Sequence, residues 1–150
     1  MGIVKDKLLD SGTRPAVIID CVQLVDNEVA SKKGVTGMMI KGGYKAFKAI
    51  KPTIVKEAVD ILLDSFIEIA DGHYGEYMED EPEKKNSFES WVSSRSARIA
   101  DDLLGVTDDI MNRSNKAALK KIYKGMRGIA QKNVAVAVPA VGRLVEKHVA

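Results

Sequence analysis

The heptapeptide YKAFKAI at residues 44–50 returns as YKGMRGI at residues 123–129, an offset of 79. A second pair of segments agrees upstream of it. Ile18, Val22, Val25 and Val29 match Ile99, Leu103, Val106 and Ile110 at an offset of 81, with Asp20 matching Asp101. The two-residue difference falls between SKKGVTG and RSNKA, where an inter-helix loop absorbs a deletion at least cost. Such recurrence predicts two related three-helix halves, residues 14–70 and 95–149. Two copies are too few for a solenoid. The expected fold is therefore all-α: a single domain over residues 1–150, a compact bundle of about six helices with its halves in a pseudo-twofold arrangement.

Local signals support helices throughout. Thr13 is the expected N-cap of the first, with Pro15 in its first turn, and Gly34 after Lys32 and Lys33 is the expected stop. The second helix presents Met39, Gly43, Ala46, Phe47 and Ile50 and ends at Lys51-Pro52. Gly43, Ala46 and Gly125 are small enough to let helices approach closely. Ile54, Ala58, Ile61, Leu62, Ser65 and Ile69 stripe the third helix, which Asp71-Gly72 is expected to interrupt. The acidic stretch at about 80–87 reads as a linker. Asn86 and Glu89 form a capping box ahead of Phe88 and Val92, and Ser114 caps a further helix. The apolar run 134–141 is the expected central helix, with a break near Pro139.

At this point the segments RPAVIIDCVQLVDNEVASKKG, YKAFKAIKP, ADDLLGVTD and the terminal KHVA give the chain a resemblance. It resembles a family of small uncharacterised bacterial all-helical proteins, a domain of unknown function. That likeness implies a helical domain and supplies no activity, substrate or catalytic residue.

The formal charge of +2 conceals a segregation. Residues 1–56 carry ten Lys/Arg against five Asp/Glu, residues 57–109 four against fifteen, and residues 110–150 nine against one. One cysteine, Cys21, excludes an intramolecular disulfide and a cysteine-based zinc site. The start MGIVKDKLLD has no cationic leader followed by a long apolar run, and Asp6 stands where N-myristoylation wants Ser or Thr. A cytoplasmic protein is expected.

The sharpest candidate site is a doubled basic helix face. Lys41, Lys45 and Lys48 recur as Lys120, Lys124 and Arg127 at i, i+4, i+7. Like charges at that spacing cost a helix about 0.2–0.5 kcal/mol per pair, so the two rows are either merely solvated, helped by Glu57, Asp60 and Asp64 on the next helix, or bind an anion. The other candidates are blander. His73, Glu76 and Asp80 have metal-ligand spacing, but Gly72 and Gly75 undermine the helix that would align them. Asp20 and Asp101 could meet across the twofold, though local pairing is the simpler reading. Cys21 reads as a small buried residue, His148 as compensation for a helix C-terminus and Trp91 as an edge-of-core anchor. No catalytic, cofactor-binding or metal-binding residue is assigned, and no cofactor is expected. A non-enzymatic interaction or scaffold module, able to self-associate, is the leading expectation. The alternative is a binder of anionic partners through the basic faces. Nucleic acid ranks behind a protein partner for want of aromatics, and membrane ranks last because α-helical apolar residues around Met39 are needed for the core.

Overall fold

The structure, a computed structural model, describes residues 2–150; Met1 of the Met-Gly start lies outside them. Seven helices follow one another: α1 (Ile3–Leu8), α2 (Arg14–Ser31), α3 (Gly34–Ile50), α4 (Ile54–Asp80), α5 (Phe88–Ser93), α6 (Ser96–Arg113) and α7 (Ala117–Val149). No strand occurs among the described residues. Helix α7 is the organiser, packing against α1, α2, α3, α5 and α6.

The core joins Val4 and Leu8 of α1, Val17 and Ile18 of α2, Leu63, Ile67, Tyr74 and Tyr77 of α4, Phe88, Trp91 and Val92 of α5, Ile99 of α6 and Val138 and Val145 of α7. Its aromatic part is a chain of ring contacts. Tyr74, Tyr77 and Phe88 lie 5.0–5.5 Å apart, and Trp91 stacks on Phe88 at 6.1 Å.

Two short helices gain their N-terminal caps from distant carboxylates. Asp71 of α4 accepts from the backbone N–H of Val4 at 3.0 Å, a bond spanning 67 positions. Glu146 of α7 accepts from Glu89 N–H at 2.5 Å, beside the local cap in which the Ser87 hydroxyl accepts from Ser90 N–H. These carboxylates satisfy donors that a helix start leaves open and stand at the positive end of its dipole.

The structure corrects several expectations. Helix α4 runs through Asp71-Gly72 to Asp80, because His73, Tyr74 and Tyr77 are buried beyond the glycine, and that burial outweighs a glycine penalty of about 1 kcal/mol. Helix α7 likewise continues through Pro139 without a break, locked by Val138, Gly142 and Val145. Its apolar run is not wholly interior, since Val136 is 59% exposed. One long helix thus replaces the two expected after residue 114, and no separate last helix follows. The cap before α5 is Ser87, one residue after Asn86. Ser114 ends α6, and its hydroxyl accepts from Lys116 N–H at the start of α7. Ile61 lies 65% exposed, and α4 buries Leu63 and Ile67 instead. In α3 the buried residues are Gly37 and Ile40, whereas Met39 and Ile50 are exposed.

Close approach is real at Gly43, where a Cβ would overlap the Met126 sulfur of α7. It is absent at Gly125, which faces open space.

Candidate anion-binding faces

Helix α3 contains no acidic residue, and α7 contains one, Glu146, at its far end. Asp/Glu are missing from the whole of residues 29–56 and of 110–145. The fold packs these two helices together, with Gly43 against Met126. Both rows of cations therefore stand on stretches of neighbouring helices that bring no carboxylate of their own.

The six candidate cations divide into two kinds. Lys48 Nζ lies 3.7 Å from Asp26 of α2 and 4.5 Å above the Tyr44 ring, whose hydroxyl donates to the same Asp26. Arg127 grips Asp108 of α6 as a fork, Nε to Oδ1 at 2.8 Å and a terminal nitrogen to Oδ2 at 3.1 Å. The Tyr123 hydroxyl donates to that Asp108 at 2.5 Å and meets the Thr107 hydroxyl at 2.8 Å. Each heptapeptide thus supplies a tyrosine and, four residues on, a cation, and both converge on one carboxylate of the preceding helix. The recurrence in sequence is matched by a recurrence of interaction at the α2–α3 and α6–α7 hairpins.

Electrostatics follow from this convergence. Arg127, then Tyr123, hold the Asp108 carboxyl below its ordinary range. Burial first, then the bond to an ionised aspartate, pushes both Tyr44 and Tyr123 above the usual phenol value. Lys48 and Arg127 are accordingly committed to the hairpins.

Lys41, Lys45, Lys120 and Lys124 are the remainder: exposed, with no acidic partner within 4 Å among the described residues. The expected neutralisation by Glu57, Asp60 and Asp64 does not occur. Asp60 and Asp64 take Arg14, at 2.5 and 3.3 Å, and Glu57 takes Lys51 at 2.8 Å. A broadly open groove between α2 and α3, lined by Asp26, Val29, Tyr44, Lys41, Lys45 and Lys48, gives access to the first row.

The remaining candidates resolve into structural roles. His73 is 5% exposed, with Nε2 2.8 Å from Asp102 of α6; its Nδ1 lies 3.4 Å from Glu76 without a hydrogen bond. Asp80 instead accepts from Trp91 Nε1 at 3.2 Å and from Arg95, whose guanidinium caps the Trp91 ring at 3.9 Å. No group of three potential metal ligands converges among the described residues. Asp20 does not meet Asp101. It receives Lys147 at 2.8 Å and His148 at 2.7 Å, which tie the end of α7 to α2 and lower its carboxyl pKa, Lys147 contributing most. Burial raises the Cys21 thiol to about 11, so it stays protonated at neutral pH and is a poor nucleophile. The His73–Asp102 pin between α4 and α6 has no signal in the sequence, since a lone histidine in a helix does not announce its partner.

A family model described as a family of unknown function, DUF6918, matches residues 4–149. The chain belongs to the DUF6918 family. Nothing matches it among curated proteins or among solved structures. For this DUF6918 member no helix is long and apolar enough to cross a membrane among the described residues.

Proposed function

We propose that this chain is a non-enzymatic helical interaction module that takes anionic partners on the basic faces of α3 and of the N-terminal half of α7. The observation that carries the reading is the side-by-side packing of two helices free of acid over residues 29–56 and 110–145, with Lys41, Lys45, Lys120 and Lys124 left without acidic partners. Asp26 and Asp108, on the helices that precede the two rows, already hold Lys48 and Arg127. The open groove beside the first row suits an extended or flat anion better than an enclosed small molecule.

The test is a titration of a soluble polyanion, a duplex RNA oligomer, across salt. Four phosphate contacts give a slope of log K against log salt of roughly −3.6, and affinity falls steeply between about 50 and 200 mM. Absence of binding at the lowest salt overturns the reading.

A further inference from the structure

Helix α3 departs from the pattern of a surface helix on the side turned to water. Val35 is 77% exposed, Met38 75% and Met39 50%, and Gly42 continues the strip at i, i+3, i+4, i+7. A solvent-facing helix ordinarily carries polar residues along that line. Here the polar groups are displaced sideways: Lys41, Lys45 and Lys48 form a row on the adjoining flank, above the α2–α3 groove, and Lys33 stands exposed at the helix start. The opposite side of α3 is taken by Ile40 in the interior and by Gly43 against Met126. An apolar strip with a lysine flank and no acid is thus presented outward from a helix anchored behind.

Resting on the anion-binding reading above, we propose that this face docks on an anionic lipid bilayer, with Val35, Met38 and Met39 entering the interfacial region and the lysines meeting headgroup phosphates. Charge selects this occupant. A second copy docking α3 on α3 would bring two lysine rows together, with no carboxylate on either helix and only the already engaged Asp26 beside each. The acidic stripe of another copy's α4 is already engaged, by Lys51 on Glu57, Arg14 on Asp60 and Asp64, and Lys5 on Glu68. A bilayer of anionic lipid meets both demands, since an interfacial helix combines shallow apolar insertion with attraction to anionic headgroups. Methionines suit such a boundary because their unbranched chains adapt to irregular surroundings. Ile40 of this stretch does belong to the core, but Met38 and Met39 are exposed and so free to enter a bilayer surface.

Sedimentation with sucrose-loaded vesicles tests the assignment, using phosphatidylcholine alone and phosphatidylcholine containing phosphatidylglycerol. The wild-type chain is expected to partition onto the second and not the first. The variant V35S/M38S/M39S, altered only at exposed positions, should bind at least about tenfold more weakly, with an unchanged melting temperature and unchanged affinity for the RNA oligomer. Vesicle binding that the triple serine variant retains in full overturns the docking face and leaves the anion-binding reading standing. Loss of RNA and vesicle binding alike in the wild type overturns both. A wild-type dimer that V35S/M38S/M39S converts to monomer, without vesicle binding, overturns the lipid assignment in favour of a protein interface.

Discussion

Replacing Trp91 by alanine should remove about 3–5 kcal/mol of stability, the range for deleting a large buried aromatic. Trp91 is the chain's one tryptophan and is 5% exposed. It stacks on Phe88 at 6.1 Å, meets Tyr77 edge-on at 6.0 Å and underlies the Arg95 guanidinium. Its Nε1 donates to Asp80, the last residue of α4. Truncation therefore leaves a cavity where α4 and α5 meet and removes the ring that supports the Arg95–Asp80 ion pair at its rim. Because the sole tryptophan is lost, urea unfolding is followed by far-ultraviolet circular dichroism. A domain of this size should also melt roughly 10 °C lower. Trp91→Phe fills most of the space and should recover the larger part of the loss. A decrease below about 1 kcal/mol for the alanine variant would contradict the core role.

Gly142→Ala and Gly128→Ala should shift stability in opposite directions although both lie in α7. A Cβ on Gly142 would stand 2.8 Å from Val92 Cγ2 and 3.0 Å from Glu89 Cα. The Glu89 backbone cannot retreat freely, since its N–H is held by Glu146 one turn further along α7. A Cβ on Gly128 meets nothing within 4 Å. Alanine gains up to about 1 kcal/mol over glycine in a helix interior, so Gly128→Ala should stabilise. At Gly142 overpacking of about 1–3 kcal/mol opposes the same gain and should exceed it. The difference between the two variants isolates the packing term, because the propensity term is common. Thermal unfolding of both measures it; equal stabilisation would show that α5 and α7 are not in close contact.

The helical class was legible because apolar residues repeat at helical spacing in every long segment, and the pairs around Ile18 and Ile99 do lie on buried faces. Boundaries failed where a distant residue decided them. Nothing local announces α1, whose first turn is capped by Asp71 some 67 positions away. Gly72 and Pro139 are local punctuation, and burial of Tyr74, Tyr77, Val138 and Val145 overrode it. In α3 the sequence carries apolar residues on nearly all sides, so periodicity could not tell the interior side, with Ile40, from the exterior one with Met38 and Met39.

The six cations could be named from sequence, but not their division. Lys48 and Arg127 look like their neighbours until folding brings Asp26 and Asp108 to them. The acid-free runs were already written in the chain. Their significance depends on α3 and α7 being adjacent, which only tertiary packing reveals. The partner of Asp60 and Asp64 is likewise set by packing, which brings Arg14 to them, whereas Glu57 pairs with the local Lys51.

Two charge-matched variants locate the anion-binding surface most directly. One neutralises Lys41, Lys45, Lys120 and Lys124 to alanine; the other neutralises Lys7, Lys56, Lys84 and Lys85, also exposed but outside α3 and α7. Both lower the net charge by the same amount. Affinity for the RNA oligomer at fixed low salt should fall at least about a hundredfold in the first variant, with the salt slope approaching zero, and by less than about tenfold in the second. Equal losses in the two would show that binding follows overall charge, and that the lysine rows of α3 and α7 have no special part in it.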